Sequence, residues 1–387
     1  LKFAFLIFKY FPFGGVQRDM LRIATDCAAK GHQVTIYTGQ WRGDYPDSAI
    51  KVVIVPQQGW LNHQRHQSLI DGMHARLAID QPDIVVGFNR MPGLDVYYAA
   101  DPCFKARAYE DRSWWYRLSG RYRFFADSEE AVMRAEGTCR ILILAPGEKT
   151  LFQQWYGTPE HRFYQLPPNI PRARFAGVDR ADARASVRRE FNLPDSAWLI
   201  LFVGSAFVRK GLDRIILGVA ALPEHLKQTT YILAVGEDKS EAMRALAKTH
   251  GLERQVIICE DGRSDVPRLM LGADMLAHPA RSELAGLVIT EALTAGLPVL
   301  VSENCGYAFH VRNASAGVVL PMPFRQQEMN TGLLSMLDTD RLRAFGQAGQ
   351  HYAQEIADST SASYEADLIE SFAHENISSR KAGQHVT

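Results

Sequence analysis

Short unbroken apolar runs alternate with amphipathic stretches along the whole chain, and this rhythm limits what it can fold into. The runs fall at 3–8, 34–37, 52–55, 84–88 and 141–144, then at 199–203, 231–235, 256–259, 275–278 and 298–301. Strands of four to six apolar residues without polar alternation are covered on both faces, as in a mostly parallel sheet. Parallel neighbours need crossover connections, and helical periodicity at 16–29, 68–80, 180–191 and 212–222 supplies them. The predicted class is α/β, with doubly wound, Rossmann-like sheets.

Between the two sets of runs lies Leu166-Pro167-Pro168-Asn169-Ile170-Pro171, which lacks the donors a central strand needs and reads as a linker. A chain of 387 residues also exceeds what one core usually organises. Two domains are therefore expected, at 1–167 and 168–387, with a final helical stretch near 341–372 packing back onto the first. Each has a glycine-bearing loop after its first strand, so a cleft between them is the expected site.

Lysine plus arginine equals aspartate plus glutamate at 43 each, which argues against nucleic acid or another polyanionic partner. The five scattered cysteines, with no C-x-x-C, suit a reducing compartment and not a zinc site. His63, His66 and His74 have no carboxylates at ligand spacing and read as surface residues. The only D-x-D, Asp338-Thr339-Asp340, reads as a helix cap, so no metal requirement is expected. No apolar run approaches the roughly 20 residues of a membrane span. The opening 2–8 reads as a first strand and not a signal peptide, because Lys9 and Pro12-Phe13-Gly14-Gly15 follow it.

Chemistry concentrates in the second half. Glu283 and Glu291 stand eight positions apart in a segment opened by His278-Pro279, with Gly286 between them. Carboxylates held this way suit the hydroxyls of a polyol, and a glycine lets a ligand approach the backbone; a helix-capping pair is the plainer alternative. Gly204 follows a buried run, and Arg209-Lys210-Gly211 comes ahead of a helix. Two adjacent cations there suit a diphosphate, whereas a solvated surface loop is the competing reading. Gly14-Gly15 occupies the matching place in the first half, without G-x-G-x-x-G spacing. Asp19, one turn further on, fits the same cleft or a surface salt bridge. Arg172 and Arg174 follow the linker and are candidates for phosphate contact.

Taken together, Gly14-Gly15, Gly204 with Arg209-Lys210-Gly211, and E-x(7)-E at Glu283 and Glu291 resemble the retaining glycosyltransferases of family 4, which have the GT-B fold. F-K-Y-F-P-F-G-G-V-Q-R-D, G-F-N-R-M-P-G-L-D-V-Y-Y-A-A-D and R-L-S-G-R-Y-R resemble, more narrowly, the lipopolysaccharide core glucosyltransferase I subfamily of Gram-negative bacteria. The resemblance implies two Rossmann-like domains facing across a cleft. It also implies transfer of glucose from UDP-glucose to an inner-core heptose with retention of configuration, and no cofactor.

By the same resemblance Arg209 and Lys210 would bind the diphosphate, Glu291 the ribose and Glu283 the hexose. Gly286 and Leu287 would offer backbone amides. Asp101 stands where many relatives have a histidine, and is the acceptor-side candidate. Another nucleotide-sugar donor (galactose, mannose or N-acetylglucosamine) or another lipid-linked acceptor on the same fold is the alternative within the class. A nonenzymatic nucleotide-sugar-binding scaffold at a membrane is the alternative outside it.

One local surface stands out in a neutral chain. Tyr109, Trp114, Trp115, Tyr116, Tyr122 and Phe124 interleave with Lys105, Arg107, Arg112, Arg117, Arg121 and Arg123, against Glu110 and Asp111 alone. Indoles and phenols settle at the headgroup level, and bases favour an anionic leaflet. The expectation is a cytoplasmic protein attached peripherally to the inner membrane; packing of these aromatics into the core is the alternative.

Overall fold

The computed structural model describes residues 1–384 except Phe13, Asp111, Ala362 and, in the linker, Asn169 and Pro171, with side chains as far as Arg380. The expected opposing charge of Asp111 and part of the linker thus lie outside the described residues. The chain divides into two compact units, Leu1–Leu166 with Ser361–Thr387, and Pro167–Thr360.

The first unit holds seven strands: β1 (Lys2–Ile7), β2 (Gln33–Thr38), β3 (Ile50–Ile54), β4 (Ile84–Gly87), β5 (Val96–Ala99), β6 (Arg140–Ile143) and β7 (Phe163–Gln165). They are ordered β3-β2-β1-β4-β5-β6-β7, and each pairing is parallel. Every residue of β1 except Lys2 is buried, which is why the run F-A-F-L-I carries no polar alternation. The order reverses between β1 and β4, and connections after those strands part there to either side of the sheet edge.

The second unit holds six: β8 (Trp198–Val203), β9 (Thr230–Val235), β10 (Val256–Cys259), β11 (Met275–His278), β12 (Val299–Ser302) and β13 (Gly317–Leu320). Their order is β10-β9-β8-β11-β12-β13, again parallel, with its switch point between β8 and β11. Ile200, Phe202, Ile215, Ile216, Leu300 and Met329 form the centre of its core.

Strands β5, β7 and β13 were not foreseen: β7 has only three residues, β5 is half tyrosine and β13 opens on Gly317, so none shows the aliphatic run that marked the other four-residue strands. The helical stretch at 341–372 is two helices, Thr339–Ser359 and Tyr364–Gln384. The second unit ends at Thr360, and the second of these helices is grouped with the first unit, onto which the final helical stretch was expected to pack. Its Glu365, Glu370 and Glu375 each pair at 2.6 Å with Arg22, Lys30 and Arg140. Ion pairs of this exposure add little apiece, and burial of Ile369 and Phe372 contributes more, about 1.5–3 kcal/mol per side chain.

Asp338 caps the helix Thr339–Ser359, its carboxylate accepting from the Arg341 amide at 2.8 Å. Among the described residues no helix is long and apolar enough to cross a membrane, and no cluster of His, Cys, Asp and Glu has the makings of a metal site.

Candidate active site

Three connections meet at the carboxyl edge of the second sheet, those after β8, β11 and β12. After β8 the chain passes Gly204 and enters a single helical turn, Phe207–Lys210, closed by Gly211 in the left-handed region at φ +88°. A Cβ on Gly211 would lie 2.2 Å from the Pro279 carbonyl oxygen, so only glycine lets this loop touch the one after β11. The two are also stitched together: the Arg281 amide donates to the Arg209 carbonyl at 2.8 Å, and the Arg209 guanidinium donates to the Ser282 carbonyl at 2.9 Å. Arg281 in turn holds Asp213 at 2.6 Å.

This packing delivers Lys210 against Glu283, ammonium on carboxylate, with each side chain about seven-eighths buried. His278, the last residue of β11, places Nε2 3.3 Å from the same Glu283 oxygen. Burial, reinforced by Lys210 and Arg209, pushes His278 down to about 3, so its imidazole is neutral and Nε2–H donates to Glu283. Burial and Arg209 also pull Lys210 down to about 8, while the contact with Glu283 works in the opposite sense.

Glu283 itself is fixed through its backbone. It bridges to Cys305, its carbonyl accepts from the Gly306 amide at 3.1 Å, and the Ala285 carbonyl accepts from Tyr307 at 2.8 Å. Gly286, at φ +87°, then turns the chain into the helix Leu287–Ala295, whose N-terminus carries no side-chain cap. One turn in, Glu291 is buried and its carboxylate is held by Arg174.

Arg172 and Arg174 part company. Arg172 is committed to the Gln354 carbonyl at 2.9 Å and to Asp358 at 3.0 Å, and only Arg174 reaches a site glutamate.

In the first unit Gly14 caps the helix Gly15–Ala29, again without a side-chain cap. Asp19 is no surface residue: it is buried, and the Tyr98 hydroxyl donates to it at 2.9 Å. Asp101 follows β5 at the same sheet edge and is half-buried. His66 is not a surface residue either, since it is half-buried and stacked on Phe8 at 4.4 Å.

The cationic-aromatic segment forms the helix Phe104–Glu110, the turn Trp114–Leu118 and the helix Gly120–Met133. Trp114 and Trp115 stack at 3.9 Å and are 53% and 64% exposed. Arg121 and Arg123 are exposed, Arg117 lies over Tyr109 at 4.2 Å, and Lys105 lies over Tyr156 at 5.0 Å. Arg107 stands 3.9 Å from Glu148. Tyr116, Tyr122 and Phe124 are partly buried, so the segment divides between core and surface.

Residues 183–352, which include both glutamates and both cations, match the family described as glycosyl transferases group 1. Lipopolysaccharide glucosyltransferase WaaG of Escherichia coli K12 is 41% identical over 351 residues, covering 90% of this chain and 93% of that one. The chain belongs to this glycosyltransferase family. A crystal structure of WaaG, described as involved in lipopolysaccharide biosynthesis, superposes with a TM-score of 0.87 at 40% identity, over 95% of this chain and 99% of that one. Anabaena HepE, solved with UDP-glucose, has a TM-score of 0.71 over 98% and 99% of the two chains; at 17% identity it speaks for the GT-B fold alone.

As a group 1 glycosyltransferase the chain is an enzyme, and five charged groups that the sequence singles out fall into two clusters, around Glu283 and around Glu291. Arg209, Lys210 and Glu283 are neighbours; Glu291 keeps company with Arg174. His278 opens the segment that carries both glutamates, and residue type alone assigns it no role. Its signal was position: a histidine ending a buried strand at a ligand-binding edge.

Proposed function

We propose that the enzyme transfers glucose from UDP-glucose to a heptose of the lipopolysaccharide inner core, with retention and without a metal. The observation that carries this is the contact of Lys210 with Glu283, braced by neutral His278 and flanked by Arg209. A diphosphate competes for the ammonium, and Glu283, once released, has a free oxygen to accept from hexose hydroxyls. Diphosphate binding and hexose recognition are thereby coupled through one ion pair.

Glu291, oriented by Arg174, would take the ribose hydroxyls, with Gly286 and Leu287 offering amides and Gly204 leaving room beside Lys210. As the glycosidic bond breaks through an oxocarbenium-like state, charge grows on the leaving diphosphate. Arg209 and Lys210 stabilise that charge more than they stabilise the ground state. Retention is assigned to same-face attack, with the diphosphate taking the acceptor proton. Gly14 and Gly15, at the uncapped start of the helix Gly15–Ala29, are assigned to phosphate contact, and Asp101 and Asp19 to the acceptor side.

The exposed Trp114 and Trp115 with Arg121 and Arg123, supported by Lys105, Arg107 and Arg117, suit an anionic cytoplasmic leaflet, where each base near the surface adds about 1 kcal/mol. Mass spectrometry of products made from truncated lipopolysaccharide and a panel of UDP- and GDP-sugars tests the whole reading. One hexose added from UDP-glucose alone supports it; preference for another donor or another acceptor overturns it.

A further inference from the structure

Three aromatic rings form a ladder at the carboxyl edge of the first sheet, and the reaction just described does not use them. Tyr10 comes three residues after β1 and Trp41 three after β2; because those strands are parallel, both loops leave the same edge. The loops are tied by main-chain bonds, Tyr10 N–H to the Gln40 carbonyl at 2.8 Å and Arg42 N–H to the Tyr10 carbonyl at 3.1 Å. Tyr10 and Trp41 stack at 3.8 Å and 14°, and Trp41 and Tyr45 follow at 5.7 Å and 8°. The Trp41 indole N–H donates to the Asp44 carbonyl at 3.1 Å, which locks the middle ring. The inner rung is buried, with Tyr10 at 6%, and the outer one open, with Tyr45 at 65%.

We propose that this ladder is a stacking platform for a pyranose ring of the acceptor saccharide; the inference rests on the reading that the acceptor is a glycan. A pyranose presents a face of C–H groups ringed by hydroxyls, and a rigid aromatic plane with polar groups at its rim matches both. Exposed Lys9 and Arg42, next in the chain to Tyr10 and Trp41, offer donors, and Asp44, next to Tyr45, an acceptor. The connection bearing Tyr10 runs on to Gly14-Gly15, and Asp101 emerges at the same edge after β5, so the platform lies on the side of the sheet where parallel α/β folds bind ligands. A bilayer is the poorer occupant. Exposed Asp44 and Asp47 flank Tyr45, and an anionic leaflet repels them, in contrast to the arginine-rich surface around Trp114.

The test is binding of deacylated inner-core oligosaccharide to the protein by saturation-transfer NMR and calorimetry, beside UDP titration and vesicle sedimentation. Tyr45→Ala is expected to weaken the oligosaccharide about five- to tenfold and Trp41→Leu more, with Tyr45→Phe restoring it and UDP affinity held throughout. Tyr45 is exposed enough that its replacement leaves the fold intact even if Trp41→Leu does not fold. Equal oligosaccharide affinity in Tyr45→Ala and the unaltered protein, or no oligosaccharide binding by the latter, overturns the platform. Loss of vesicle binding in place of oligosaccharide binding overturns it too. Oligosaccharide bound through Tyr45 by a protein that does not transfer glucose would instead overturn the proposed reaction and leave the platform standing.

Discussion

Lys210 rests its ammonium on the carboxylate of Glu283, and the two come from different loops, after β8 and after β11, joined by the glycine contact of Gly211 with Pro279. The pair keeps two buried charges neutral as a unit and presents both to a ligand that separates them. Replacing Lys210 by alanine should lower kcat about 10²-fold or more, the scale seen when one group that stabilises leaving charge is lost. Steady-state kinetics with a truncated acceptor checks this; a variant with unchanged kcat and raised KM for UDP-glucose would assign Lys210 to binding alone.

The ionisation of Lys210 gives a pH signature. Its ammonium is the active form, burial and Arg209 bring it down to about 8, and loss of the proton removes leaving-group stabilisation. The ratio kcat/KM, which reports the groups of the free enzyme, should therefore be level near neutral pH and fall on the alkaline side. Lys210→Arg, which keeps its charge, should move that fall to higher pH whatever its absolute rate. His278, held near 3, contributes no break around neutrality.

Arg174 holds Glu291, so both should matter for the nucleotide. Glu291→Gln is expected to weaken UDP about tenfold, through loss of a charged acceptor, and Arg174→Ala by less. Arg172→Ala, whose partners are Gln354 and Asp358, should leave UDP affinity unchanged. Calorimetry on the three variants gives the order directly.

Glu129 tests the scaffold of the first unit. Wholly buried, it takes the Arg90 guanidinium and the amides of Phe104 at 2.7 Å and Lys105 at 3.0 Å, pinning the start of the helix Phe104–Glu110. Glu129→Ala leaves Arg90 without its carboxylate and should cost about 3–5 kcal/mol in denaturant unfolding. A loss below 1 kcal/mol would mean that water relieves the site.

Trp114→Ala with Arg121→Glu should abolish sedimentation with phosphatidylglycerol-rich vesicles and change stability by less than about 0.5 kcal/mol, as exposed positions do. Equal binding of the unaltered protein to zwitterionic vesicles would remove the electrostatic part of the account.

Much of this was readable before folding. Runs such as L-I-L-F-V declare buried parallel strands by themselves, and Arg209-Lys210 and the glutamate pair declare chemistry by residue type. What stayed hidden were pairings across the fold. No spacing says that Arg174 and not Arg172 meets Glu291 over 117 positions, or that Tyr98 buries Asp19. Strands as short as β7 escape because three residues carry no period. The helix Tyr364–Gln384 joined its neighbour in the sequence reading because the break at 360–363 has neither proline nor glycine to mark it.

The central claim is that Lys210 exchanges Glu283 for a diphosphate. A crystal structure with a non-hydrolysable UDP-glucose analogue tests it most directly. The account predicts diphosphate oxygens within hydrogen-bonding distance of Lys210 and Arg209, hexose hydroxyls on Glu283 and ribose hydroxyls on Glu291. A bound nucleotide that leaves the Lys210–Glu283 contact in place would contradict it.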